Sequence, residues 1–343
     1  MKNPLKKTMA VVAVVAAAGL ALSGCASSND SGNTGSGAKG LQTVNVGIVQ
    51  LSIFAPIYIA EAKGYFKDEG IKLNLQNVKS GQDAIPLASS GKLDVVAAGF
   101  AAGMFSAVQT GLDIKVVGSM GVSDDSDEPA SALIVSKKEH DNGTITSVKD
   151  LKGKRIGALG GGGATSAFYV SMALKEAGLS NKDVTFVQLS SPDIPTAIKN
   201  GSIDGAFVSA PFWSNAVNDG TAVKLWQTPA GTSGTGVIYG GKFVKSKLAQ
   251  PFFNAMVRAS ADLQGDKKYS DENMKIIAKA TDQTVESLKA VPLYSWLPNL
   301  APLPDQLADM EKVWIDAKAI QYTTPLKPST YVDTTFADNA KTK

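Results

Sequence analysis

The feature that most constrains this chain is a repeat of itself at a distance of 110 residues. "SSGKLDVVAAGF" carries Gly91, Leu93 and Asp94, and "KNGSIDGAFVSA" carries Gly201, Ile203 and Asp204. Each reads as a helix end, a glycine and an apolar run beginning beside an aspartate. The same interval links Gly47 in "VNVGIV" to Gly157 in "KRIGAL", and Tyr58 to Phe168. Each copy then reads strand, helix, strand, helix, strand. The first spans residues 44–49, 56–63, 71–76, 83–89 and 95–98; the second spans 155–159, 166–176, 184–189, 194–200 and 205–208. In the helix of 166–176, Ala167, Val170, Leu174 and Ala177 form a buried stripe, and Gly178 ends it with Leu179 as the apolar cap contact. Alternation at this length predicts mostly parallel sheets flanked by helices. Such sheets bind ligands at the carboxyl ends of their strands.

Two further apolar segments, residues 131–139 and 234–246, read as crossings between two lobes. The chain is expected to enter lobe two near residue 137 and return near 240. That divides it into a discontinuous lobe one (41–136 and 241–343) and lobe two (137–240). Residues 251–317 read mostly as amphipathic helices that cover lobe one, with a helix start at Pro304-Asp305.

The N-terminus has the form of a lipoprotein signal peptide over residues 1–24. Lys2, Lys6 and Lys7 precede the apolar stretch "MAVVAVVAAAGLAL", which is shorter than the roughly 20 residues of a spanning helix. It ends in Leu22-Ser23-Gly24-Cys25, which resembles the bacterial lipobox, so Cys25 is the expected site of lipidation. Residues 25–40 are Ser/Gly/Asn-rich, a flexible tether with a reach of roughly 20 Å. Removing the three signal lysines lowers Lys plus Arg from 34 to 31, equal to the 31 acids. A near-neutral mature chain gives no footprint for nucleic acid. With a single Cys, Cys25, and a single His, His140, internal disulfides, Cys-rich zinc sites and His-based triads are excluded. No metal or cofactor is expected.

The stretches "EAKGYFKDEGIKLNL", "GKLDVVAAG", "VKDLKGKRIGALGGGG", "ALKEAGLSNKDVTFVQL" and "AIKNGSIDGAFVSAPFW" resemble the periplasmic substrate-binding proteins of ABC importers, in particular the nitrate, sulfonate, taurine and thiamine-precursor class. The similarity spans roughly residues 44–245. It implies a two-lobed periplasmic-binding fold of type II, each lobe a mixed, mostly parallel sheet, with two hinge strands. It also implies solute captured between the lobes and passed to a membrane permease, with the binding protein held at the membrane by its lipid and expected to be a monomer.

If the lobes face each other, four loops line the cleft: residues 50–54 and 99–103 from lobe one, 160–166 and 209–213 from lobe two. The candidate ligand-binding residues are Gln50, Ser52, Phe54, Phe100, Ala101, Gly162, Gly163, Ala164, Thr165, Ser166, Ser209, Phe212 and Trp213. Pro56 and Pro211 suit a first helical turn, and Thr165 or Ser166 can cap its helix. The run Gly160 to Gly163 fails the nucleotide P-loop pattern, since no Lys follows, and fails G-x-G-x-x-G at Thr165. It suits either a small anion at a helix N-terminus or a permissive turn. Three or four charge-assisted hydrogen bonds of about 1.5–3 kcal/mol each reach the ~8 kcal/mol of a micromolar complex without an arginine. Trp296 is read as core or loop anchor, and the acidic run of 123–129 as a solvated loop rather than a cation site.

The expected solute is a small organic anion, a sulfonate or taurine first, with an aromatic acid also open. A thiamine-type pyrimidine or other neutral heterocycle is the alternative. An enzyme like the pyrimidine synthase that resembles these proteins would need a His and a Cys cluster, for which only His140 and Cys25 exist. A surface adhesin or sensor without a transport role is the third alternative.

Overall fold

The computed structural model describes residues 40–342. The predicted signal peptide, Cys25 and all of the tether but Gly40 lie outside them. Ten strands alternate with helices: β1 (Gln42–Ile48), β2 (Ile71–Asn77), β3 (Val95–Gly99), β4 (Ile114–Ser119), β5 (Ser131–Ser136), β6 (Arg155–Ala158), β7 (Thr185–Gln188), β8 (Gly205–Ser209), β9 (Ala222–Gln227) and β10 (Thr235–Gly240). They form two five-stranded sheets, ordered β2-β1-β3-β10-β4 and β7-β6-β8-β5-β9. β1 pairs in parallel with β2 and β3, and β6 with β7 and β8. β10 and β5 run antiparallel to their neighbours. The fold is α/β and two-lobed.

The two halves agree atom by atom at the repeat. The Asp94 carboxylate accepts the Asn45 amide at 2.8 Å, and the Asp204 carboxylate accepts the Arg155 amide at 2.7 Å. A Cβ on Gly47 would lie 2.5 Å from Leu93, and one on Gly157 would lie 2.8 Å from Ile203. These glycines let the apolar residue before the next strand press onto the backbone of the central one. Each aspartate thereby ties two strands together at the end away from the cleft.

Asp204 also takes Nε and Nη2 of Arg155, which in turn donates to the Gly201 carbonyl at 2.8 Å. Burial pushes the Asp204 carboxyl up, but the hydrogen bonds and charge of Arg155 outweigh it and hold the group below its usual range. Asp204→Ala is expected to lower stability by about 2 kcal/mol in urea unfolding, the scale of hydrogen bonds to a charged group. Because the folded pKa is depressed, this contribution is complete above the unfolded carboxylate range and fades as pH falls through the folded value.

The crossings lie earlier than the sequence predicts. All of β5 belongs to the second sheet and all of β10 to the first, so the chain changes lobes between β4 and β5 and again between β9 and β10, not near 137 and 240. The connecting segments pair with each other: Ser123 N–H donates to Thr232 O, Gly231 N–H to Ser123 O, and Met120 N–H to Thr235 O, each at 2.9 Å. The hinge is therefore two short linked spans, 120–130 and 228–234, and the acidic run is part of one of them. Lys224 and the Gln227 amide hold its carbonyls at Asp127 and Ser126.

Helices Ala249–Asp262, Asp271–Thr281 and Pro304–Asp316 cover lobe one. Phe252 packs on Phe66 with ring centroids 4.8 Å apart, and Trp314 packs on Phe105. No helix among the described residues is long and apolar enough to cross a membrane.

Candidate functional site

A cavity of about 80 Å³ lies between the lobes, at the carboxyl ends of β1, β3, β6 and β8. Its lining inherits the repeat. Val49 and Leu159, Phe54 and Ala164, Gly81 and Ser191, and Gly99 and Ser209 stand 110 residues apart, and all eight face the cavity. Thr235 from the start of β10 and Tyr294 from the C-terminal region complete it.

The polar supply comes largely from two helix starts, one in each lobe. Helix Gly81–Ser89 begins at the cavity, its N-cap Ser80 accepting the Asp83 amide. Helix Thr165–Glu176 begins opposite and has no side-chain cap. First-turn N–H groups have no acceptor within their own helix, and both macrodipoles turn their positive ends toward the cavity. The predicted hydroxyl caps are absent because both hydroxyls are engaged elsewhere: Thr165 Oγ1 donates to Phe100 O at 2.7 Å and Ser166 Oγ to Leu159 O at 3.2 Å. The first-turn amides of Thr165 and Ser166, two residues that line the cavity, are thus left without a side-chain cap.

Further hydroxyls line the walls. Ser209 Oγ and Tyr294 OH lie 3.0 Å apart. Thr235 Oγ1 is buried with no hydrogen-bond partner among the described residues. Burial pushes the phenol of Tyr169 well up and that of Tyr294 up, so both stay protonated at neutral pH. Leu51, Ile53, Phe54, Leu159, Phe207 and Val208 supply an apolar surface, and no lining residue carries a charged side chain. The cavity shares Val49, Leu51, Leu159 and Ser191 with an outer groove of about 580 Å³, where Lys79 and Asp282 sit.

Of the predicted residues, Phe54, Ala164, Thr165, Ser166 and Ser209 line the cavity. Ser52 is buried between Leu51 and Ile53 without facing it. Phe100 is buried, its ring against Gly236, and contributes its carbonyl to Thr165. Ala101 forms a backbone bridge with Ala164 across the lobes. Gln50 and Phe212 reach only the outer groove, where Gln50 bonds to the Ala280 carbonyl. Trp213 turns into the core of lobe two, and its indole donates to Pro129 O. The glycine run forms a 3-10 turn, Gly161–Gly163. Gly160 and Gly161 take left-handed φ of 82° and 76°, which glycine adopts freely. Gly162 lies beside Phe186 and Gly163 beside Ala102, so neither lines the cavity. Trp296 is a loop anchor, donating to Ile53 O at 2.9 Å.

Ser80, Tyr169, Ser191, Thr235 and Tyr294 escaped the sequence reading. A signal for one of them, Ser80, existed. Ser80 with Asp83 and Ser190 with Asp193 are the same hydroxyl–carboxylate turn at the repeat interval.

The profile of the family described as NMT1/THI5 like matches residues 52–262, more than half of the chain and both lobes. The chain belongs to the NMT1/THI5-like family. It is 31% identical over 197 residues to a putative aliphatic sulfonates-binding protein of Bacillus subtilis, covering 56% of this chain and 54% of that one. It is 32% identical over 152 residues to a 4-amino-5-hydroxymethyl-2-methylpyrimidine phosphate synthase of Aspergillus parasiticus, covering 44% and 40%. The chain thus spans about half the length, or less, of the curated relatives it matches. Among solved structures, the periplasmic nitrate-binding protein of Synechocystis PCC 6803 superposes with a TM-score of 0.68 at 15% identity, covering 88% of this chain and 86% of that one. The alkanesulfonate-binding protein of Xanthomonas axonopodis pv. citri superposes at 0.64 and 19% identity, covering 87% and 100%. These likenesses establish the two-lobed fold.

Proposed function

We propose that this chain is an extracytoplasmic solute-binding lipoprotein of an ABC importer, anchored through Cys25. It captures a small organic anion of the sulfonate or taurine kind between its lobes and delivers it to a membrane permease. The observation that carries the reading is the meeting of two helix N-termini, one per lobe, at a single cavity whose other walls join an apolar surface to a few hydroxyls. A sulfonate has that shape: a charged head that accepts several hydrogen bonds and a small apolar body. Amides and hydroxyls hold such a head without a counter-cation. Binding a solute by both lobes favours the closed form over the open one. The residues assigned to the solute are Phe54, Thr165, Ser166 and Ser209, joined by Gly81, Ser191, Thr235 and Tyr294.

Titration calorimetry with taurine, ethanesulfonate, nitrate and a hydroxymethylpyrimidine tests the assignment. The sulfonates are expected to bind at about micromolar Kd, worth ~8 kcal/mol. Tight binding of the pyrimidine with none of the anions would overturn it. That second reading is favoured by one observation, the absence of any cationic side chain beside the rings of Phe54, Tyr169, Phe207 and Tyr294. A synthase role finds no support in the cavity: His140 lies on helix Lys137–Asp141, beside Asp141, and does not line it.

A further inference from the structure

We infer that Thr165 is the residue through which solute contact and lobe closure are coupled, and that Gly99 and Gly234 are glycines in order to admit it. This rests on the reading of solute capture above and adds the atoms that hold the lobes together.

Thr165 belongs to lobe two and has two separate engagements. Its backbone begins the helix Thr165–Glu176 and lines the cavity. Its hydroxyl leaves that helix and crosses to lobe one, donating to Phe100 O at 2.7 Å, with Gly234 O also within 3.1 Å. Those two carbonyls belong to the end of β3 in lobe one and to the hinge span that returns to it, where Phe100 N–H donates to Gly234 O at 2.9 Å. One turn further along the same helix, Tyr169 OH accepts the Gly234 amide at 2.5 Å. Ala164 and Ala101 add a backbone bridge beside it. Helix start, hinge return and the end of β3 are thus tied through one side chain and its immediate neighbours.

The fit leaves no room for a methyl group on lobe one. A Cβ on Gly99 would lie 2.3 Å from Thr165 Oγ1, and one on Gly234 would lie 2.3 Å from Thr165 Cγ2 and 2.7 Å from Tyr169 OH. Neither glycine has a left-handed φ, so the constraint is close approach and not backbone conformation. At Gly99 the nearest atom of its own lobe would be Gly234 O at 3.9 Å, an ordinary contact. Alanine there leaves lobe one undisturbed and obstructs only the arrival of lobe two. Solute on the Thr165 amide fixes the helix start that the hydroxyl needs, and the hydroxyl bond in turn holds the amide over the solute.

Two substitutions at Thr165 separate the donor from the bulk. Thr165→Val keeps the branched shape and removes the donor, while Thr165→Ser keeps the donor and removes the methyl. By stopped flow with ethanesulfonate, Thr165→Val is expected to release solute roughly tenfold faster with unchanged association, the scale of one lost hydrogen bond. Thr165→Ser is expected to stay within about twofold of wild type. Equal release from both variants would show that the hydroxyl couples nothing. The second arm needs no solute. In hydrogen exchange on the solute-free full chain, Gly99→Ala is expected to speed exchange at the Gly234 amide about threefold, because that amide loses its Tyr169 partner. Equal exchange in Gly99→Ala and wild type would overturn the latch, whatever solute the cavity takes. Failure of every anion to bind wild type would sink the solute reading, and the exchange arm would still decide the latch.

Discussion

Alanine at position 81 is expected to abolish solute capture and to destabilise lobe one. An ideal Cβ on Gly81 would lie 1.8 Å from the Gly99 carbonyl oxygen and 3.0 Å from its carbon. Both are backbone atoms of β3, a buried central strand, and they have no rotamer by which to retreat. The helix Gly81–Ser89 has to back away from the sheet instead. Overpacking of this kind costs about 1–3 kcal/mol, and a contact this short belongs at the upper end. The larger effect falls on the cavity, because Gly81 and Gly99 both line it and the helix start supplies its amides. Losing two charge-assisted hydrogen bonds of about 1.5–3 kcal/mol each weakens binding by more than a hundredfold. Ser89→Ala, at the exposed far end of the same helix, is the control and should bind as wild type. Calorimetry with ethanesulfonate and urea unfolding read the two effects separately. Binding by Gly81→Ala within about threefold of wild type would show that this helix start does not hold the solute.

The same neighbourhood shows which parts of the molecule were legible in the sequence. The repeat was legible because each copy needs identical small and acidic residues at one joint: Gly47 with Leu93 and Asp94, Gly157 with Ile203 and Asp204. Those requirements are local in space and fixed in spacing, so they survive as a pattern. The crossings were not legible. β5 and β10 are buried along their whole length, and a uniformly apolar run says nothing about which sheet it enters. Only pairing with Gly205–Ser209 or Val95–Gly99 decides that. The aromatic residues misled for a related reason. Phe212 and Trp213 follow β8 directly, but the helix they begin turns Trp213 into the core of lobe two. Tyr169 and Tyr294 line the cavity from a second helical turn and from the distant tail, positions that no strand-end rule reaches. The glycine run of 160–163 was readable as a turn, and its first two members need left-handed backbone. What it could not reveal is that the next turn of chain presents Thr165 to the opposite lobe.

That turn has a counterpart in lobe one, and the counterpart is held in a different way. The 3-10 turn Ser52–Phe54 leads into helix Ala55–Ala62 as Gly161–Gly163 leads into Thr165–Glu176. Lobe two positions its turn through the reach of Thr165, whereas lobe one borrows Trp296 from the C-terminal region. The Trp296 indole donates to Ile53 O at 2.9 Å, and its ring is 3% exposed. Its own carbonyl accepts Gln264 Nε2, and Ser260 Oγ donates to Leu297 O next to it, both at 3.0 Å. The tail is thereby pinned to helix Ala249–Asp262 while its indole pins the cavity wall. Trp296→Ala is expected to cost about 3–5 kcal/mol of stability, the range for truncating a buried aromatic. It should also release Ile53 and Phe54 from the wall. Trp296→Phe separates the two roles. It keeps most of the packing but leaves the buried Ile53 carbonyl unpaired, at a cost of about 1–3 kcal/mol. Urea unfolding should therefore rank the variants wild type, Phe, Ala, while calorimetry with ethanesulfonate should show both weakened. If Trp296→Phe binds as tightly as wild type, the indole hydrogen bond does not position the wall, and Trp296 acts through its bulk alone.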